Sequence, residues 1–291
     1  EKGMMVFEIA KKLEPSHEQG LHVRSIEGGN APNMVPDRCR AILIEEKQKY
    51  EPVREAVEAF RARTGHKVYF KGRGKSVEVS AEGVAAHGAH PEDGLNAISI
   101  LMELLSELPI ANEGAAAFID FYREHIDYET NGHRLGIEAC DEESGGLIVN
   151  VGQIALGREA AILTVNVRNP VTRKEDDVYD DLRPVIDRYG LGVVRVTGVA
   201  PLYYADGDPL VETLMDVYRA GTGDAEAQPL VIGGGTYARA IPHAVAFGPR
   251  FPGKPDVMHQ KDEYIEEEDL LRACRIYADA IERLAGKDFR L

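Results

Sequence analysis

QPLVIGGGTYARAIPHAVAFGPRFPGKPDVMHQKDEY, residues 228–264, carries the clearest structural signal in this chain. Two short apolar runs, 229–232 and 244–248, frame a glycine-rich turn. Each run has the length and the flanking residues of a buried strand. A loop then carries His259 to the start of the last helix. The pattern predicts two buried strands that place a flexible turn and a histidine at one end of an open α/β sheet, a common rim for an active site.

Upstream, residues 1–199 alternate between strand and helix patterns. Period-two alternation and short apolar runs predict strands at 20–26, 39–44, 66–71, 76–81, 147–154, 160–167 and 191–199. Helical spacing of apolar residues predicts helices at 50–63, 94–108 and 113–127. This order of elements is typical of an α+β domain with ferredoxin-like elements.

A fourth helix is expected after residue 170. Thr172 and Glu175 match a capping box, so the helix is predicted to start at Thr172 and to run toward Gly190. Pro184 lies inside this segment and is expected to kink or split the helix, because it lacks a backbone N–H.

The character of the sequence changes near residue 200, which predicts a second domain over 200–291. Asp208 and Pro209 are typical of a helix start. The last helix is predicted at about 266–285, with its larger apolar side chains on the buried face. We expect this domain to be an α/β segment of a larger parallel sheet.

Composition limits the classes of function. The chain has 291 residues and a net charge of −15, which argues against binding of nucleic acid or of an anionic membrane through a broad basic surface. No apolar run is long enough to span a bilayer. The three cysteines, Cys39, Cys140 and Cys274, are widely spaced and form no Cys-x-x-Cys pair, which argues against a disulfide framework. We expect a cytoplasmic protein.

Four segments resemble the PepV-like dipeptidases of peptidase family M20, which are two-zinc metallopeptidases. They are GGGTYAR at 233–239, HQKDEY at 259–264, NMVPD at 33–37 and AHGAHPEDGLNA at 86–97. The resemblance covers essentially the whole chain. It implies that residues 1–199 form a lid (insertion) domain and that residues 200–291 form the C-terminal segment of the catalytic α/β domain.

One part of the family pattern is not found. The family carries most metal ligands in an N-terminal half that includes a His-x-Asp-Val-Pro-x-Gly segment. The only His-x-Asp here begins at His125, and Tyr128-Glu129-Thr130 follows it. We therefore expect this chain to lack the N-terminal catalytic half and to be inactive alone.

His259 is the candidate metal ligand. Imidazole is a good zinc ligand, but a lone histidine is more often an ordinary surface residue, because zinc needs several ligands. The resemblance implies that His259 binds zinc in an enzyme with two zinc ions. This chain would supply at most one ligand of that site.

His87 and Asn33 are candidate active-site residues. The resemblance implies that His87 donates a hydrogen bond to the substrate carbonyl oxygen as charge develops there. Without the resemblance, His87 would be interpreted as a loop histidine beside a helix. His90 is the competing position, and the adjoining Pro91-Glu92 favours His87. The Asn33 amide could reach a substrate carbonyl, or it could be a simple turn residue.

Arg168 and the glycine turn are candidate substrate-binding residues. A guanidinium at the end of a strand can hold a carboxylate in a bidentate fork, and the resemblance implies that Arg168 does so. The alternative is a solvated arginine. Gly234, Gly235 and Thr236 are expected to contact the substrate backbone. Their alternative is a tight turn, and they lack the pattern of a phosphate-binding loop.

The leading hypothesis is a metal-dependent dipeptidase that hydrolyses short peptides. One alternative is a non-catalytic binding or assembly module derived from that family, which pairs with another subunit as a homodimer or docks onto a separate N-terminal half. Another is an amidase or deacylase of the same superfamily.

Overall fold

The computed structural model describes residues 1–255, 257 and 262–286. The chain divides into two compact units, Glu1–Pro201 and Leu202–Leu291. Each unit has its own buried apolar cluster. Among the described residues, no helix is long and apolar enough to cross a bilayer.

Unit 1 contains ten strands and four α-helices. In chain order they are β1 Gly3–Lys12, β2 Leu21–Gly28, β3 Arg38–Glu45, α1 Glu51–Thr64, β4 Lys67–Arg73, β5 Ser76–Glu82, α2 Ala97–Ser106, α3 Glu113–His125, β6 Cys140–Asp141, β7 Gly145–Gly146, β8 Ile148–Leu156, β9 Ala160–Asn169, α4 Glu175–Arg188 and β10 Gly192–Val199.

Eight of these strands form one sheet in the order β10-β1-β9-β8-β2-β3-β5-β4, and β6 pairs with β7 in a separate two-stranded sheet. Every neighbouring pair in the large sheet is antiparallel. One face of the sheet is apolar, with Met5, Phe7 and Ile9 of β1 fully buried. The four helices contribute their buried side chains to the same cluster. Unit 1 is therefore a mixed α/β structure with a layer of helices on one face of an antiparallel sheet.

The helices follow from their sequences. In α1, Val53, Val57 and Phe60 form the buried stripe, and Gly65 ends the helix with φ of 74°. Helix α2 is buried nearly all round, as its apolar sequence predicts. The Asn96 side chain caps α2 by accepting a hydrogen bond from the N–H of Ile98 at 2.9 Å.

The opposite face of the large sheet carries polar residues where β8 and β9 pair. Asn150 lies directly across from Asn166, and Arg168 lies two residues farther along β9. Cross-strand partners share a face, as do residues two apart in a strand. All three side chains are buried. Asn150, Asn166 and Arg168 thus form a row of buried polar side chains across β8 and β9.

Three features of unit 1 differ from the sequence predictions. Strand β1 and the two short strands β6 and β7 were not predicted. The capping-box prediction at Thr172 was wrong, because the Thr172 hydroxyl and N–H both donate to Asp141 instead and α4 begins after Lys174. Pro184 lies inside α4 but does not split it. The remaining predicted strands and helices are found within a few residues of their expected bounds.

Unit 2 is built on two helices, α5 Pro209–Thr222 and α6 Glu267–Leu284. Asp208 caps α5 as predicted, since its side chain accepts hydrogen bonds from the N–H groups of Leu210 and Val211. The buried apolar cluster of the unit joins residues of both helices with Phe251.

The buried face of α6 differs from the prediction. Its small residues Ala273 and Ala280 are buried together with Ile276, whereas Leu271 and Ile281 are exposed. Ile276 packs closely on Gly221 of α5. A Cβ added at Gly221 would lie 2.5 Å from Cγ1 of Ile276. A close approach of two helices is possible only through small residues, which explains why the larger side chains are excluded from the contact.

The two buried strands predicted from the opening stretch are not observed. Neither 229–232 nor 244–248 forms a strand, and Leu230 is 85% exposed. A strand is stable only when its backbone groups pair with a neighbour, and the described part of unit 2 contains no strand that could be that neighbour.

Candidate active site

Asn33 and His87 are held side by side in unit 1. Met34 and His87 form an isolated antiparallel bridge between two loop segments. The N–H of Gly88 donates to the Asn33 carbonyl at 2.7 Å, and the N–H of Val35 donates to the Ala86 carbonyl at 2.9 Å. Both the Asn33 and the His87 side chains are exposed. The structure thus brings together two residues that lie 54 positions apart in the sequence.

Gly88 makes this approach possible. A Cβ at Gly88 would lie 2.9 Å from both the carbonyl carbon and the carbonyl oxygen of Asn33. These are backbone atoms, which cannot move aside as the end of a flexible side chain can. Any larger residue at position 88 would therefore push the two segments apart.

One hydrogen bond of His87 favours a particular neutral tautomer. The N–H of Ala89 donates to Nδ1 of His87 at 3.2 Å. An imidazole nitrogen that accepts a hydrogen bond carries no proton, so the neutral ring is protonated at Nε2. His87 is therefore arranged to present Nε2 as a hydrogen-bond donor. His90, the competing candidate, contacts Glu92 at 3.4 Å through Nδ1.

Asn150 anchors the segment that carries Asn33. Its Nδ2 donates to the carbonyl oxygens of Pro32 at 2.8 Å and of Met34 at 3.0 Å, one on each side of Asn33. Asn150 is only 2% exposed. Because a buried amide is costly unless it is hydrogen-bonded, the two bonds specify where this loop crosses β8.

Arg168 lies within β9, whereas the sequence placed it just after the strand. It is 3% exposed, and its Nε donates to Oδ1 of Asn166 at 3.0 Å. Asn166 is the cross-strand partner of Asn150. A row of buried polar side chains therefore runs from the Asn33 segment to Arg168 on one face of the sheet.

Asn150 and Asn166 were not singled out from the sequence. Each interrupts an apolar strand, in GLIVNVGQI and in AAILTVNVRN respectively. A buried polar residue within an apolar strand is unusual and calls for a specific partner. That signal was available, but the partners depend on the strand register, which the sequence does not show.

Gly234, Gly235 and Thr236 belong to unit 2. The Thr236 hydroxyl accepts a hydrogen bond from the N–H of Ala238 at 3.2 Å and caps a short 3₁₀ helix, Tyr237–Ala240. Neither glycine has a positive φ, and a Cβ at Gly234 would meet no atom within 4 Å. The space beside Gly234 is therefore open, whereas a Cβ at Gly235 would lie 3.2 Å from Nε of Arg239.

The predicted metal ligand, His259, lies outside the described residues. Within residues 1–255, 257 and 262–286, no three or more His, Cys, Asp or Glu side chains are grouped so that they could hold a metal ion. This part of the chain therefore does not fit a metal centre formed by its own side chains.

A cleft of about 290 Å³ in unit 1 borders Asn150 on one side. Its polar lining includes Glu92, Asp127 and Glu129, and neither His87 nor Arg168 lines it. Burial, and then the adjacent Glu103, raises the pKa of the Tyr128 hydroxyl, which donates to Glu103 at 2.8 Å. Because neither His87 nor Arg168 lines it, we do not assign the cleft to the candidate site.

Comparison with known proteins gives a family match. The family model described as "Peptidase family M20/M25/M40" matches residues 43–283. That span covers most of unit 1, including His87 and Arg168, and continues through α6 of unit 2.

Curated bacterial relatives match the chain over nearly its full length. "Putative dipeptidase YtjP" of Bacillus subtilis is 36% identical over 287 residues, which cover 98% of this chain and 60% of the relative. A "Putative dipeptidase" of Staphylococcus epidermidis is 32% identical over 294 residues, which cover 99% of this chain and 61% of the relative. The chain thus spans about 60% of the length of these relatives.

Among solved structures, an aminoacylhistidine dipeptidase from Vibrio alginolyticus aligns with 80% of this chain and 51% of its own. The TM-score is 0.37 and the identity is 13%. This likeness is too weak to bear on the fold or the site.

Proposed function

The chain belongs to the peptidase family M20/M25/M40, and we therefore propose that it takes part in the metal-dependent hydrolysis of dipeptides. The observation that carries this proposal is the bridge that sets Asn33 beside His87. Two exposed polar side chains, one of them a histidine with a defined donor nitrogen, suit the binding of a peptide carbonyl group.

In this proposal His87 acts at the scissile carbonyl. Its Nε2–H donates a hydrogen bond to the carbonyl oxygen, which gains negative charge as the carbon becomes tetrahedral. The bond from Ala89 to Nδ1 supports this role because it keeps the proton on Nε2. The neighbouring Asn33 amide donates to a second carbonyl or orients the same one.

Arg168 is proposed to bind the free carboxylate of the dipeptide. A guanidinium provides planar, charged donors that match a carboxylate. Because Arg168 is 3% exposed, a ligand can reach it only after its surroundings open. We propose that Glu1–Pro201 acts as a lid domain and that opening and closing of this lid admits the substrate. The 234–236 turn is proposed to contact the substrate backbone.

Zinc is the proposed cofactor, since members of this family generally use metal ions. His259 is the one ligand that we propose on this chain. The described residues group no set of metal ligands, so the roles proposed above for His87, Asn33 and Arg168 are roles toward the peptide alone.

We also propose a cytoplasmic location. Its support is the cysteine usage. Three free cysteines with no disulfide between them are typical of a reducing compartment.

The direct test is hydrolysis of dipeptides by the complete gene product that contains this sequence, with zinc supplied. Dipeptides are compared with N-acetyl and N-succinyl amino acids. The proposal predicts turnover of dipeptides, its loss on chelation, and slow turnover of the acylated compounds. A preference for the acylated compounds would favour an amidase, and no turnover of dipeptides would contradict the proposal.

The same assay on the 291-residue chain alone is a useful second arm. Little turnover is expected, because the described residues group no set of metal ligands. Robust turnover by this chain would show that its own side chains complete the metal centre.

A further inference from the structure

Asn166 makes a hydrogen bond that an ordinary strand residue would not need. It is 1% exposed, lies in the middle of β9, and its Oδ1 accepts the bond from Nε of Arg168 at 3.0 Å. A valine would suit a buried strand position without any desolvation cost. The Asn166 amide is therefore best explained by its hydrogen bonds, which are the one from Arg168 and a longer one from its own Nδ2 to the Met5 carbonyl at 3.4 Å.

The bond fixes the orientation of a charged group. The five N–H donors of a guanidinium are coplanar, so an acceptor at Nε sets the plane in which all of them lie. Hydrogen bonds to a charged donor are stronger than neutral ones. Asn166 thus helps to set the plane of the Arg168 guanidinium from within the same strand.

The neighbouring amide serves a different group. Asn150, directly across from Asn166, donates to the carbonyl oxygens on either side of Asn33. The two buried amides lie next to each other, yet one holds the arginine and the other holds the loop. A loss at Asn166 should therefore affect Arg168 and the bond from Nδ2 of Asn166 to the Met5 carbonyl, but not the bonds that hold the Asn33 segment.

We propose that Asn166 is a positioning residue that orients Arg168 for a carboxylate and thereby makes the enzyme select peptides with a free C-terminus. This inference rests on the proposed function and assigns a selectivity role to a residue that does not itself touch substrate. An amidated peptide has no carboxylate, so its hydrolysis does not depend on the orientation of Arg168.

The test compares a dipeptide with its C-terminal carboxamide in the complete gene product supplied with zinc. The measured quantity is the ratio of kcat/KM for the two substrates. Asn166→Leu has a similar volume but no acceptor, and it should lower this ratio about 10- to 100-fold, the value of a hydrogen bond to a charged group. The loss should lie mainly in KM for the dipeptide, because Arg168 binds a group that does not react.

A control variant makes the test specific. Thr164→Val removes a polar group from the same face of the same strand, two residues away, and should leave the ratio unchanged. Should Asn166→Leu fail to fold, Asn166→Ser gives the same comparison, because its shorter hydroxyl does not reach Nε.

The outcomes separate the inference from the proposed function. If Asn166→Leu lowered kcat/KM equally for both substrates and left their ratio unchanged, the positioning role would be overturned. If the unsubstituted enzyme hydrolysed both substrates equally well, the carboxylate-binding role of Arg168 would be wrong. If it hydrolysed neither, the proposed function itself would be wrong.

Discussion

The backbone N–H of Gly88 lies 2.7 Å from the carbonyl oxygen of Asn33, and this hydrogen bond joins the two loops of the candidate site. The contact leaves no room for a side chain at position 88. It also sets the spacing between His87 and Asn33. Substitutions at Gly88 and at Asn150 test how these two loops are held together.

Gly88→Ala should separate the loops. The added methyl group would lie 2.9 Å from backbone atoms of Asn33, and overpacking of this kind costs about 1–3 kcal/mol of unfolding free energy. Urea denaturation measures the loss, and dipeptide hydrolysis should fall with it. Gly72→Ala is the matched control, because a Cβ there meets no atom within 4 Å and should change neither quantity. Equal behaviour of the two variants would refute the proposed contact.

Asn150→Leu should release the Asn33 segment. It removes two hydrogen bonds and leaves the carbonyl oxygens of Pro32 and Met34 without this donor, which should cost about 1–3 kcal/mol of unfolding free energy. Hydrogen exchange should accelerate at the N–H groups of Val35 and Gly88, which bond across the two loops. Unchanged protection at these two amides would show that Asn150 does not anchor the loop.

His87→Ala should lower kcat for dipeptides about 100- to 1000-fold, as expected when one donor to a developing oxyanion is removed. KM should change little, because the bond strengthens only in the transition state. His90→Ala is the control and should stay near the activity of the unsubstituted enzyme, since its ring contacts only Glu92 among the described side-chain partners. A larger loss in the His90 variant would reverse the assignment of the two histidines.

Cysteine reactivity should follow burial. Burial raises the pKa of the Cys39 thiol, so this residue should remain unmodified by iodoacetamide at pH 8 while the chain is folded. Cys140 and Cys274 are exposed and should react first. Mass spectrometry of the alkylated protein measures the order. Early modification of Cys39 in the folded protein would contradict the packing of β3.

The sequence predicted most of unit 1 because its signals are local. Apolar alternation in β3 and the stripe of Val53, Val57 and Phe60 in α1 each indicate an element without reference to the rest of the chain. The error at Thr172 arose from a distant residue, since the Thr172 hydroxyl donates a hydrogen bond to Asp141 and does not cap the helix. Local patterns cannot show such a competition.

Unit 2 was predicted less well, because a strand depends on partners. The run 229–232 has strand composition, but it pairs with nothing in the described part of the chain and does not form a strand. The α6 helix was predicted, yet its buried face was set by the close contact with Gly221. Composition favours an element, and neighbours decide whether it forms and which face it buries.

The candidate site was predicted in part. The motifs identified His87 and Asn33, and the structure brings these two together. The roles of Asn33, His87, Arg168 and the 234–236 turn stay predictions. The supporting residues Asn150 and Asn166 were missed, because their partners follow from the register of β8 on β9.

Peptide binding by the chain itself, followed by NMR, shows most directly whether the Asn33 and His87 loops and Arg168 bind a dipeptide. The ¹⁵N-labelled protein is titrated with a dipeptide, and the same titration is repeated with its C-terminal carboxamide. We predict that the dipeptide shifts the backbone amides of Asn33 and Gly88 and the Nε–H of Arg168, and that the carboxamide leaves the Arg168 signal unchanged. Shifts confined to the cleft beside Asp127 and Glu129, or identical Arg168 shifts with both ligands, would contradict it.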